Sequence, residues 1–288
     1  MEPGVVPKVS VVTVYLDGEN FLAEAMASVA AQSFADWEYI LVDDGSTDGG
    51  PELARRFASR HRHVHCLAFP DGRNHGVAAA RALGADAARG EYLLFLDHDD
   101  VLAPDALSAM VATLDSHPRA GAVFAGVRFW AYDPTLGECD AVQHFRRYGE
   151  GPLWGRVMLA DLIWSDDHHP ANCSTLFRRK DYLAARGAEA PYPGMYEETA
   201  VLFSLLTRRD VVLLDRPVAS YRMHAGSMCH RAKAAGTLSD TAGSIDRERF
   251  LRWAGENVAL GLPERLLLWL TLARYRRQRR ALTPFPAG

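Results

Sequence analysis

The run LLFLDHDDVL, residues 93–102, ends an apolar stretch in Asp97, His98, Asp99 and Asp100. Unpaired carboxylates are costly to bury, so a cation or solvent has to meet them there. Side chains at i and i+2 of an extended segment point to one side, which lets Asp97 and Asp99 clamp a hard divalent cation. Mg2+ and Mn2+ reach proteins through one or two carboxylates plus substrate phosphates. The same residues also suit a solvated acidic turn ahead of a helix beginning near 103. A second acid cluster lies in VDDGSTDGG, residues 42–50. Asp43 and Asp44 close an apolar run, and the residues after them suit a tight turn into a helix. That cluster is open to two readings: turn and capping chemistry, or a carboxylate that accepts hydrogen bonds from a nucleobase or ribose. A third crowd, Asp166, Asp167, His168 and His169, falls in DDHHPAN, residues 166–172. Sequence neighbours rarely ligate one ion together, so a polar loop is expected there rather than a second metal.

The elements around these clusters alternate. KVSVVTV (8–14), WEYILVDDGS (37–46), HVHCLAF (63–69), EYLLFLD (91–97) and AGAVFAGVRFW (120–130) read as strands. NFLAEAMASVAAQ (20–32), GPELARRFASRH (50–61), HGVAAARALGADAARG (75–90) and APDALSAMVATLDSHP (103–118) read as helices. Pro51 sits near the first turn of its helix, and Gly90 reads as a C-terminal stop. This order predicts an α/β fold with a mostly parallel sheet flanked by helices. Ligands of such sheets bind beyond the carboxyl ends of the strands, where both acid clusters fall. Beyond 131 the pattern loosens, with a helix at 195–209 and one or two strands within 211–227.

Composition excludes several classes. The chain has 288 residues, 48% apolar and 24% charged, and a formal net charge of -4, so no general attraction to nucleic acid is expected. Cys66, Cys139, Cys173 and Cys229 form no C-x-x-C pair and read as free thiols. MEPGVVPKVS has neither a basic n-region nor an apolar h-region, and no run is long enough to span a bilayer, so a cytoplasmic location is expected.

Taken in order, several segments resemble the family 2 glycosyltransferases, which have the GT-A fold. VSVVTVYLDGENFLAEAMASVAAQSFADWEYILVDDGSTDGG is similar to the family's opening. NHGVAAARALGADAARGEYLLFLDHDDVLAPDAL is similar to the block ending in its D-x-D, and NCSTLFRRKDYL, MYEETAVLFSLL and YRMHAGS to later blocks. The resemblance covers roughly residues 8–228. It implies transfer of a sugar from a nucleoside-diphosphate sugar to an acceptor hydroxyl, with inversion at the anomeric carbon and with Mg2+ or Mn2+ as cofactor. Polysaccharide, lipid-linked, peptide and small-molecule acceptors all stay open, and no nucleic acid is expected as a partner.

Carried over position by position, the resemblance puts Thr13, Tyr15 and Asp17 beside the nucleotide, with Tyr15 stacked on the base. Asp43 and Asp44 become nucleoside contacts, Asp44 the one nearer the base. Arg81 matches an arginine that reaches the nucleotide, although Ala82 stands where the family has asparagine. Asp97 and His98 join the donor contacts. Asp99 becomes the principal metal ligand, with Asp97 beside it, and His224 adds an imidazole to the metal or diphosphate. Arg222 becomes a phosphate partner or a surface charge. The base position departs from the family: YEET gives Glu197 and Glu198 where Glu-Asp is usual, which makes Glu198 the expected general base and Glu197 its substitute. The implied domain plan is a catalytic domain over 1–245, with a nucleotide-sugar half at 8–130 and an acceptor half at 131–245. A C-terminal helical extension follows at 246–288. Within it, ERLLLWLTLARYRRQRRAL (264–282) is basic and amphipathic. It is open to packing on the domain, to a homodimer contact, or to peripheral contact at the inner face of the plasma membrane. A nucleotidyltransferase would want a glycine- and arginine-rich loop after the first strand, which TVYLDGENF lacks. A protein that binds the nucleotide sugar without transfer is the other alternative.

Overall fold

The computed structural model describes residues 6–145, 147–165, 169–186, 196–234 and 245–282, without the side chains of residue 245 and of 278–282. The strands are β1 Val9–Tyr15, β2 Trp37–Asp43, β3 Val64–Ala68, β4 Tyr92–Phe95, β5 Val101–Leu102, β6 Ala120–Trp130, β7 Ala141–Gln143, β8 Gly151–Leu153, β9 Thr175–Arg178 and β10 Asp210–Arg222. The helices are α1 Leu22–Ala30, α2 Gly50–Ala58, α3 Val77–Ala87, α4 Ala106–Asp115, α5 Gly155–Trp164, α6 Arg179–Arg186, α7 Glu197–Leu206, α8 Met228–Ala234, α9 Ile245–Asn257 and α10 Leu262–Leu282. They divide into two compact units. The first takes residues 1–152, 170–183 and 211–223; the second takes 153–169, 184–210 and 224–288.

In the first unit one sheet runs in the order β3-β2-β1-β4-β9-β6-β10-β5, with β7 on β6 and β8 on β10. The expected parallel sheet is its N-terminal part: β3, β2, β1 and β4 are parallel. Consecutive strands there are connected through α1, α2 and α3, the kind of crossover that parallel strands need. Beyond β4 the sheet turns mixed, because β9 is antiparallel to both β4 and β6, and β5 to β10. Register matters for the site. Tyr15 is level with Asp43, and Val12 with Phe95, so β1, β2 and β4 leave the sheet along one edge.

β1 is buried at every residue, as expected of a central parallel strand covered on both faces. Its two polar residues are therefore paired. Thr13 Oγ1 lies 2.9 Å from Tyr39 Oη, and Ser10 Oγ donates to Glu38 Oε1 at 2.6 Å. Glu38 also accepts from the Arg89 amide at 2.7 Å and from its Nε and Nη2 at 2.9 and 2.7 Å. This knot ties the end of α3 to β1 and β2. Burial alone would raise the Glu38 pKa, but the bonds from Ser10 and Arg89 outweigh it and hold it below 4.5. Gly90 belongs to the same knot and corrects its reading as a helix stop. α3 ends at Ala87, and Gly90 is needed because a Cβ there would lie 2.6 Å from Ser10 N.

The second unit gathers helices. Phe250 of α9 stacks on Tyr196 at 5.1 Å and meets Phe203 of α7 edge-on at 5.0 Å. Arg247 is buried and donates to Tyr275 Oη and the Leu162 carbonyl, both at 2.8 Å, which joins α9, α10 and α5.

Because the Glu38 pKa is depressed on folding, its contribution to stability is complete above pH 4.5 and is lost as pH falls through the lower folded value. Glu38→Gln is expected to cost about 1–3 kcal/mol at neutral pH. Urea unfolding at several pH values should show the gap between wild type and variant narrowing below pH 4.5; a gap independent of pH would contradict the knot's role.

Candidate active site

Three loops leave the sheet at the carboxyl ends of β1, β2 and β4, and side chains clasp them together. Asp17, after β1, has φ +50°, and its Oδ1 accepts from the Thr47 amide at 2.8 Å and from Thr47 Oγ1 at 3.2 Å. The Asp17 amide in turn donates to Ser46 Oγ at 3.0 Å. Two residues on, the Glu19 amide donates to Asp48 Oδ2 at 2.7 Å, and Glu19 Oε2 accepts from the Gly49 amide at 3.1 Å. The two loops are thus laced in both directions. The bonds from Thr47 hold the Asp17 carboxyl below its ordinary range.

Asp44 laces the next loop. It is buried, and its two oxygens accept from the amides of His75 at 2.8 Å and Gly76 at 3.0 Å, ahead of α3. Gly45 makes this approach feasible: its φ is +89°, and a Cβ there would stand 2.7 Å from the Arg73 carbonyl carbon. Asp43 is partly exposed and accepts from the Ser46 amide at 2.9 Å.

After β4, Asp97, His98 and Asp99 are partly exposed while Asp100 is buried. Asp97 Oδ1 accepts from Arg81 Nη2 at 2.8 Å. The Asn172 amide, turned so that its oxygen accepts, receives Arg81 Nη1 and Nη2 at 3.2 and 3.1 Å. The His98 ring packs on Gly18 of the β1 loop, whose Cβ would stand 2.9 Å from His98 Cδ2. Beneath the turn lies Arg222, only 1% exposed. Its Nε donates to the Asp99 carbonyl at 2.7 Å, its amide to Asp100 Oδ1 at 3.0 Å, and its Nη2 to Glu24 Oε2 at 2.5 Å. The guanidinium carbon lies 4.3 Å from the Trp130 ring centre, 4.5 Å from Tyr132 and 4.8 Å from Phe21. Burial, then the neighbouring Asp99 and Asp97, push the Asp100 carboxyl well above its ordinary pKa. Burial and contact with Asp100 do the same to the Cys173 thiol.

Of the residues named from sequence, Asp17, Asp43, Asp44, Arg81, Asp97, His98 and Asp99 meet along one edge of this unit. Thr13 and Tyr15 do not present themselves there. Both are buried, Thr13 on Tyr39 and Tyr15 in the core beneath Gly50, so Tyr15 offers no ring face for a base. Central parallel strands are covered on both faces, which is why these side chains are enclosed. Arg222 is likewise neither a surface charge nor a phosphate partner, but a caged cation under the acidic turn. In the second unit, Glu197 and Glu198 occupy the first turn of α7, both partly exposed. Behind them His169 Nε2 lies 2.6 Å from Thr199 Oγ1. His224 is partly exposed, and its carbonyl accepts from the Ser227 amide. Asp166, Asp167 and His168 lie outside the described residues, as do residues 187–195. Sequence reasoning missed Glu24, Asn172, Cys173 and the structural part of Asp100.

A divalent cation can be tested against these groups. Among the described residues no three His, Cys, Asp or Glu side chains gather as a metal cage. Asp97 and Asp99 supply two partly exposed carboxylates, and Asp97 shares one oxygen with Arg81. Such a set fits Mg2+ or Mn2+, which retain water and substrate phosphates as further ligands, and does not fit a closed four-ligand site.

A mixed sheet of this order, flanked by helices and edged by acidic loops, is a GT-A fold. TarS 1–349 of S. aureus, solved with UDP-GlcNAc, superposes with a TM-score of 0.67 at 17% identity over 96% of this chain and 73% of that one. The mannosyltransferase PcManGT of Pyrobaculum calidifontis, solved with GDP-Man and Mn2+, gives 0.61 at 19% identity over 99% and 78%. The sequence profile of glycosyl transferase family 2 matches residues 10–182, and the chain belongs to that family. EpsH of Bacillus subtilis, whose name assigns it provisionally to the glycosyltransferases, is 33% identical over 237 residues, 78% of this chain and 63% of its own length. The chain spans 16% to 63% of the length of four curated relatives it matches.

The Arg222 cage yields a stability prediction. Arg222→Ala leaves a cavity among three rings and removes the donor to the Asp99 carbonyl, at an expected cost of about 3–5 kcal/mol. Arg222→Lys cannot reproduce the fork or the stacking and should cost about 1–3 kcal/mol. Glu24→Gln touches only a half-exposed ion pair and should cost at most about 1 kcal/mol. Denaturant unfolding of the three variants checks this order; equal losses for Glu24→Gln and Arg222→Lys would locate the stabilisation in the ion pair instead.

Proposed function

We propose that this protein is a glycosyltransferase that moves a hexosyl group from a nucleoside-diphosphate sugar to an acceptor hydroxyl, with inversion and with Mg2+ or Mn2+ as cofactor. The observation that carries the reading is the shared edge in a family 2 chain: the acids after β2 and β4 are held together there by Arg81, Asp44 and the Asp17 clasp. Asp43 is the nucleoside contact favoured by exposure, since Asp44 is engaged with the His75 and Gly76 amides. Asp99 is the first candidate for metal ligation, Asp97 the second, and His224 an additional one. A divalent ion there would neutralise charge on the departing diphosphate without a proton. Arg81 keeps Asp97 oriented and adds positive potential beside the donor.

Glu198 is the general base of this reading, with Glu197 as substitute. The N-terminus of α7 favours a carboxylate there, and the His169–Thr199 bond stiffens the turn behind it. As the new glycosidic bond forms, Glu198 takes the acceptor hydroxyl's proton, and the bond from the anomeric carbon to the diphosphate breaks. TarS was solved with UDP-GlcNAc and PcManGT with GDP-Man, so UDP- and GDP-sugars are the first donors to test.

Asp99→Ala is expected to remove the mutual enhancement of Mn2+ and donor binding in calorimetry and to lower transfer by about 10²-fold or more. Its thermal midpoint should stay near wild type, because the Asp99 side chain is partly exposed. Undiminished turnover would remove the ion from Asp99. Glu198→Gln should keep donor affinity within about twofold while transfer falls by about 10²–10⁴-fold; wild-type rates would pass the base to Glu197 or another group.

A further inference from the structure

The last helix has two faces of different character. Leu268, Leu272 and Tyr275 of α10 are buried, and Glu264 is turned inward, where its Oε1 accepts from Arg156 Nη1 at 2.6 Å. Arg274 is engaged as well: its Nη2 donates to the Trp164 carbonyl at 2.6 Å and its guanidinium lies 4.3 Å from the Trp164 ring. The opposite face is bare. Leu262 is 84% exposed, Leu266 and Trp269 60% each, and Leu270 43%. These positions are spaced i, i+4, i+7 and i+8, so they form one apolar stripe about three turns long. Arg276 and Arg277 are exposed around the same side, while Arg265, also exposed, donates to the Leu260 and Gly255 carbonyls.

We propose that this face of α10 docks the protein on an anionic lipid bilayer, with the helix lying flat in the headgroup region. Four large apolar side chains exposed in one stripe are unfavourable in water, and indole is well suited to the boundary between headgroup and acyl chain. Arginines beside such a stripe can lay their stems on the acyl boundary and their guanidinium groups on lipid phosphates. No described helix is long and apolar enough to cross a membrane, so the contact is interfacial.

Charge selects the lipid over a second copy of the chain. The stretch 264–282 holds six arginines and one acid in a chain of net charge -4, and that acid is the inward-turned Glu264. The exposed face therefore carries no carboxylate. A second copy docked stripe to stripe would bring leucines to leucines but arginines to arginines, whereas an anionic headgroup meets both needs.

Co-sedimentation of the purified full chain with vesicles tests the proposal. Vesicles of phosphatidylglycerol mixed with phosphatidylcholine should pellet the protein, and pure phosphatidylcholine should pellet far less. Leu266→Ser with Trp269→Ser should lower the partition coefficient by about tenfold or more, and Arg276→Glu with Arg277→Glu should abolish the preference for anionic vesicles. All four side chains are exposed, so both variants should keep the wild-type thermal midpoint, which is measured alongside. Failure of the wild type to pellet with anionic vesicles, or unchanged binding by the Ser pair, overturns the proposal. So does a wild-type dimer in light scattering that the Ser pair converts to monomer without any vesicle binding. None of these readouts involves sugar transfer, so the result stands apart from the enzymatic reading.

Discussion

The buried guanidinium of Arg222 underlies the acidic turn after β4. Arg222 closes β10, and around its guanidinium converge the Asp99 carbonyl, the Glu24 carboxylate and three aromatic rings, while its amide holds Asp100. Without it the turn after β4 would place three carboxylates side by side with no positive charge beneath them. Arg222 lets that turn be rigid and acidic at once. It meets backbone and buried groups from below, while Asp97 and Asp99 keep exposure above. Asp100 takes the cost of the arrangement: with Asp97 and Asp99 beside it and little water, its proton is held well above the usual range.

The rest of the edge is stiffened by short reciprocal bonds rather than by packing. Asp17 and Glu19 reach across to the 46–49 turn, Asp44 reaches to the loop ahead of α3, and Arg81 returns from α3 to Asp97. Each of these acids accepts backbone or guanidinium hydrogens, so several carboxylates stand close together while much of their charge is already answered. In the proposed function, the partly exposed Asp97 and Asp99 are the carboxylates that would meet a divalent cation at this edge.

The second unit rests on different physics. Its helices meet through aromatic rings and the hydrogen bonds of a buried arginine, with Phe250 between Tyr196 and Phe203 and Arg247 joining three helices. α10 completes that packing with one face and leaves leucine and tryptophan bare on the other. Leu262, Leu266, Trp269 and Leu270 on that side are all exposed.

Much was readable from local pattern. Apart from the short β5, Val101–Leu102, strand and helix order through residue 130, the position of the acids at strand ends and the helix N-terminus bearing Glu197 and Glu198 all follow from short-range periodicity, turn residues and the ordered motifs of family 2. The chain by itself determined which groups are available, because residue type and spacing set charge, reach and local conformation. Tertiary structure decided which of them remain available. Thr13 and Tyr15 vanish into the core because β1 is covered on both faces, and Asp44 is claimed by amides that come 31 and 32 residues later. Arg222 becomes a support because folding brings it to Asp100 across 122 residues. Gly90 serves strand packing rather than a helix end, since Ser10 lies against it only once β1 and β4 have paired. Burial and partnership are sums over the whole chain, and no local stretch carries them.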